Sequence, residues 1–191
     1  MMKMISIIQR FDSSILLYIK DNMHGIIMDK VMVTLTYLGN GGIIWIIIAA
    51  ILIINEKYRK IGFMVLGALI LSAILGEEVL KHIFKRIRPS ADIPYVNLLI
   101  TKPLSYSFPS GHTSSSFAAA GVLAKYFKEY ALEFFSLASL IAFSRLYLYV
   151  HYPTDVLTGI VLGLACSGII IYLFDKANNN NNNNNNNKTG I

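Results

Sequence analysis

The stretch Val31–Ile54, VMVTLTYLGNGGIIWIIIAAILII, contains no charged residue. Twenty-four residues of this kind leave no polar face for water, and a helix needs about 20 apolar residues to cross a bilayer. Ile61–Gly76 and Val156–Phe174 are also uncharged, and Phe134–Val150 is apolar apart from Arg145 and a few hydroxyls. Thr113–Ala124 is rich in Ser, Ala and Gly, and its Ala118, Ala119, Ala120 and Gly121 would let helices approach closely in lipid. The reading is all-α: a polytopic membrane bundle rather than a soluble helical core.

Composition agrees. Of 191 residues, 54% are hydrophobic and only 15% charged, against about a quarter charged in ordinary soluble domains. Five spanning helices are expected, near 36–54, 61–83, 110–127, 133–150 and 155–174, or six if the N-terminal part also crosses. Gly39, Gly41 and Gly42 should break the first and leave a short apolar run from Ile43. Residues 1–30 mix apolar and charged positions and read as an amphipathic interfacial segment. Ile15–Ile19 is too short an apolar run for a signal peptide. The membrane-embedded body would then be 31–176, and 177–191, with its tract Asn178–Asn187, a disordered tail.

The net charge of +6 comes from basic residues flanking apolar segments. That favours anionic lipid headgroups over nucleic acid as partners. The one cysteine, Cys166, excludes an intrachain disulfide and reads as a small buried hydrophobe.

If all five helices cross, the short basic links 55–60 and 125–130 share one side, and the long link 84–109 shares the other with 145–155. The positive-inside tendency puts the short links in the cytoplasm. Three polar clusters then meet on the opposite side. The first is Lys81–Pro89, KHIFKRIRP, whose Lys81 and Arg88 would share a face if the helix continued. The second is Pro109-Ser110-Gly111-His112 at a helix start, where free backbone N–H groups suit an anion. The third is Arg145, His151 and Asp155, with a carboxylate four residues from an imidazole it could orient.

A metal held by His112, His151 and Asp155 is the competing arrangement. Lys81, Arg88 and Arg145 on the same side would repel a divalent cation and attract an oxyanion. A phosphate pocket therefore fits better, with no metal and no cofactor. In it His151 is the nucleophile, Asp155 its orienting carboxylate and His112 the general acid. Glu77 and Glu78 precede Lys81 by about a turn and read as helix ion-pair partners. His24 and His82 match no motif and read as structural or interfacial.

The pattern Lys81-x6-Arg88-Pro89, Pro109-Ser110-Gly111-His112 and Ser144-Arg145-x5-His151-x3-Asp155 resembles the three-part signature of the type-2 phosphatidic acid phosphatase superfamily. The resemblance implies an all-helical membrane core, a phosphohistidine intermediate and metal independence. It also implies phosphate binding by Lys81, Arg88, Ser110, Gly111 and Arg145. The substrate class it suggests is a lipid phosphate: a polyprenyl diphosphate first, then phosphatidylglycerol phosphate or phosphatidic acid. It further suggests a bacterial cell membrane with the site facing outward. A lipid-phosphate or anion transporter and a vanadium haloperoxidase-like enzyme are the alternatives. The first lacks the expected internal repeat, and the second belongs to soluble proteins.

Overall fold

The structure is a computed structural model. It describes residues 2–92 and 98–188, with side chains over 7–91 and 98–180. All regular structure among the described residues is helical. In chain order the helices are α1 (Met2–Asn22), α2 (Ile26–Gly39), α3 (Ile43–Ile54), α4 (Arg59–Ala73), α5 (Lys81–Phe84), α6 (Pro89–Asp92), α7 (Gly111–Tyr126), α8 (Ala131–Tyr147) and α9 (Pro153–Lys188).

Among the described residues, three stretches are long and apolar enough to cross a membrane: Ile26–Ile54, Arg59–Phe84 and Pro153–Asn180. Their outer faces expose large apolar side chains, among them Ile47, Ile51, Ile54, Phe63, Ile70, Leu157 and Val161. Such a belt is unfavourable in water and at home in lipid. The chain is an integral membrane protein. The expected count of five spans is not reached by length alone. At 16 and 17 residues, α7 and α8 fall short of the ~20 that a span takes.

The glycine-rich break appears where the sequence placed it, but it does not remove the preceding residues from the span. Asn40–Gly42 forms one tight turn between α2 and α3, with Gly41 at φ 58° and Gly42 at φ 71°. Left-handed backbone of this kind suits glycine. The chain then resumes its course, so α2 and α3 form one kinked rod of 29 residues. Since α2 already begins at Ile26, it runs through position 30, where the composition placed a segment boundary.

At the centre sits α7. It packs on α4, α8 and α9, and its Ala118, Ala119 and Ala120 are fully buried. The approach of α9 is close: a Cβ on Gly163 would lie 2.4 Å from the Ser114 carbonyl oxygen and 2.8 Å from the Ala118 nitrogen. Close backbone contact of this sort is how helices associate where lipid gives no hydrophobic drive. Cys166 lies buried in the same core. On the far side Trp45 of α3 is fully buried and donates its indole N–H to Ser116 Oγ at 3.0 Å.

A smaller core of Ile19, Met32, Tyr147, Leu148 and Val150 seats α1 and α2 on the end of α8. The N-terminal segment is thus docked on the bundle, not merely laid on a membrane surface. Its Asp12 and Leu16 are fully buried. The Asn tract, expected to be disordered, continues α9 as far as Lys188. Once a long apolar helix is formed, each added residue costs only propagation, not nucleation.

Candidate active site

One cavity of about 610 Å³ opens among α2, the Asn40–Gly42 turn, α4, α7, α8 and the 100–105 loop. Six of the eight expected site residues line it: Lys81, Arg88, Gly111, His112, Arg145 and His151. Ser110 and Asp155 lie directly behind, both fully buried.

Lys81 and Arg88 meet for a reason other than the expected one. The helix does not continue between them. A π-helical turn, Ile74–Leu80, leads into the short α5, and Lys85 then adopts φ 44° and ends it. The chain doubles back and delivers Arg88 to the cavity wall. Lys81 Nζ donates to Glu77 Oε2 at 2.7 Å and to Ser105 Oγ at 3.2 Å, so the expected helix ion pair forms.

Arg88 is anchored entirely by neutral acceptors. Its Nε donates to the Ser105 carbonyl at 2.7 Å, and Nη2 to Ser105 Oγ and the Tyr106 carbonyl at 3.0 and 3.2 Å. Its Nη1 donates to the Val150 carbonyl at 2.8 Å and to His151 Nε2 at 3.0 Å. A guanidinium has only donors. His151 Nε2 therefore carries a lone pair, and its proton sits on Nδ1. That Nδ1 faces Asp155 Oδ2 at 3.6 Å, beyond hydrogen-bond reach, and has no other partner among the described residues.

Asp155 is occupied elsewhere. It accepts from Ser107 Oγ, from the Tyr152 backbone N–H at 2.9 Å and from Arg86 Nη1 at 2.7 Å. Position 151 precedes α9, so the i, i+4 spacing brings the two together through a turn at the helix start and not along a helix face.

Arg145 is buried and hydrogen-bonded through Nη1 to Thr36 Oγ1, while its Nε has no partner among the described residues. Neither Arg88 nor Arg145 pairs with a carboxylate among the described residues. Ser110 caps nothing with its side chain; its Oγ accepts from Thr113 Oγ1 at 2.9 Å. Its backbone N–H donates to the Asp155 carbonyl at 3.1 Å, tying α7 to α9. His112 Nε2 lies 2.7 Å from Asn40 Oδ1 on the glycine turn, which puts a proton on Nε2.

Among the described residues the cavity walls carry four cations, Lys81, Arg88, Lys102 and Arg145, against the single carboxylate of Glu77. A buried cation without a counter-ion is costly unless an anion can reach it. No group of three or more His, Cys, Asp or Glu side chains stands ready to hold a metal among the described residues. His24 pairs with Asp29 at 3.1 Å and His82 Nδ1 meets the Glu78 carbonyl at 2.8 Å, both away from the cavity. Sequence reasoning did not find Asn40, Thr36, Ser105, Ser107 or Arg86. The first four are neutral side chains outside any motif. Arg86 was visible only as one more positive charge in a basic run.

Burial, with Arg88 and Arg145 nearby, pushes the His151 imidazole from 6.5 down to about 3. The unfolded chain would bind a proton there near pH 6.5, whereas the folded chain resists until about pH 3. Stability should therefore fall as pH drops through this window. In thermal melts in detergent, a His151→Gln protein should lose less of its midpoint between pH 6.5 and 4.5 than the parent does.

Residues 61–179 match the PAP2 superfamily. The chain is 36% identical over 121 residues to an undecaprenyl-diphosphatase from Sulfolobus acidocaldarius, which covers 63% of this chain and 58% of that protein. It thus spans under two-thirds of that relative. Among solved structures, Aquifex aeolicus LpxE superposes with a TM-score of 0.74 at 30% identity, covering 85% of this chain and 95% of the other. A transmembrane PAP2-type phosphatidylglycerolphosphate phosphatase from Bacillus subtilis superposes at 0.70 and 27% identity, covering 88% and 86%.

Proposed function

The chain belongs to the PAP2 superfamily, and from that premise we propose that it is a membrane phosphatase acting on a phosphate monoester or diphosphate of a lipid. The observation that carries this reading is the pairing of two buried guanidinium groups, unmatched by carboxylates, with an unprotonated imidazole nitrogen at one cavity.

In the proposed reaction the phosphate takes up Arg88, Lys81, the open Nε of Arg145 and the N–H groups at the start of α7. Arg88 turns from His151 Nε2 to the phosphate oxygens and frees the lone pair. Nε2 attacks phosphorus as the bond to the lipid oxygen breaks, and His112, an imidazolium once the bound phosphate offsets the surrounding cations, gives that oxygen the proton on its Nε2 and is left neutral. Water, deprotonated by His112, then attacks phosphorus and breaks the P–N bond, releasing phosphate and restoring both histidines. Asp155 steadies the imidazolium that exists between the two steps. Charge stabilisation at the equatorial oxygens supplies most of the acceleration, hence the crowd of donors.

The sideways exposure of apolar faces next to the cavity supports a lipid substrate. The relative's name favours a polyprenyl diphosphate, with phosphatidylglycerol phosphate next. We assign five crossings, with α7 and α8 held at membrane depth by their longer neighbours, and an outward-facing site in a bacterial cell membrane.

Purified protein should release phosphate from one or more of a panel of lipid phosphates, and His151→Ala protein from none. Vanadate should inhibit and EDTA should not. Indifference to vanadate would count against the phosphate pocket. Loss with EDTA that added metal restores would return the metal-centred reading.

A further inference from the structure

We propose that Asp12, far from the motifs and on α1, is a positioning residue for this reaction, acting through Arg86 on Asp155. The proposal rests on the phosphohistidine reading above.

Asp12 is fully buried. One carboxylate oxygen accepts the Thr154 backbone N–H at 3.0 Å. The other accepts the Thr154 hydroxyl at 2.7 Å and Arg86 Nη2 at 2.5 Å. The other terminal nitrogen of Arg86 donates to Thr154 Oγ1 and to Asp155 Oδ1, each at 2.7 Å. The guanidinium lies over the Tyr152 ring at 4.0 Å, and the Arg86 carbonyl accepts from the Ser107 N–H at 2.8 Å. Two carboxylates from opposite ends of the chain therefore share one guanidinium, directly behind His151.

The charges explain why both are needed. Arg86 and Asp155 alone would cancel. With Asp12 the cluster carries one net negative charge while His151 is neutral. When Nε2 takes the phosphoryl group and the ring becomes an imidazolium, the cluster becomes neutral. Buried charge is tolerated only when matched, so Asp12 favours the covalent intermediate without touching substrate. It also restrains Arg86. Released from Asp12, Arg86 would bind Asp155 undivided and hold it away from a ring that it already meets only at 3.6 Å. A structural role alone, fastening α1 to α9, would not depend on the state of His151.

The test is steady-state kinetics of full-length Asp12→Asn, Arg86→Gln and the double variant, each with a thermal midpoint. Asp12→Asn should lower kcat about 10- to 100-fold, the usual effect of a misplaced catalytic group, and leave KM for substrate and inhibition by vanadate unchanged. In the Arg86→Gln background the Asp12 change should cost nothing further. A folded Asp12→Asn protein with parental kcat, or losses that multiply in the double variant, overturns the proposal. Should Asp12→Asn fail to fold, Thr154→Val replaces it; kcat should then fall several-fold at constant KM, and parental kcat overturns the proposal equally. His151→Ala is run alongside. If it too is active, the phosphohistidine reading has failed, and not merely the role of Asp12.

Discussion

His151→Ala protein should fold, bind vanadate weakly and turn over no lipid phosphate, with kcat down roughly 10⁴- to 10⁶-fold, the scale on which removal of a covalent nucleophile acts. Among the described residues the ring makes one hydrogen bond through its nitrogens, with Arg88 Nη1, and Arg88 keeps the Val150 carbonyl and three other acceptors after its loss. The cavity wall should therefore survive, and a thermal midpoint near the parent's would show that it has. The chemical signature is sharper than the rate. Parent protein quenched during turnover should hold an acid-labile, alkali-stable phosphoryl group, as phosphoramidates do, and the variant should hold none. Near-normal activity in the variant would remove the nucleophile from the scheme.

Loss of His112 should be smaller and selective. His112→Ala should reduce turnover of a lipid phosphate by about 10²- to 10⁴-fold, the range for removing a general acid. It should cost far less with a substrate whose leaving oxygen needs no proton, such as p-nitrophenyl phosphate. A loss equal for both substrates would assign His112 to binding instead. Asn40→Ala offers a milder control, because it removes the acceptor at 2.7 Å and leaves the imidazole in place.

The helical class and the three-cluster site were legible because each rests on local signals. Uncharged runs mark Val31–Ile54 and Val156–Phe174, and short motifs mark residues 81–89, 109–112 and 145–155. What was not legible depends on long-range geometry. Position 88 joins position 81 through the left-handed turn at Lys85, which no helical period encodes. Asp12 looks in the sequence like any acid on an amphipathic helix. Its burial follows only once α1 docks beside Arg86 and Thr154, 74 and 142 residues away. The Asn40 contact likewise depends on the glycine turn being a kink within a rod and not an end.

The indole of Trp45, the chain's one tryptophan, carries a practical consequence. It is sealed from solvent and bonded to Ser116, one helical turn along α7 from His112. Its emission should be blue-shifted and poorly quenched by iodide in the native state. Any red shift would report separation of α3 from α7. Intrinsic fluorescence at a single wavelength can thus distinguish a variant that has lost its chemistry from one that has lost its packing, without a label and in any detergent transparent at 295 nm (~295 nm being the usual choice for exciting indole over phenol).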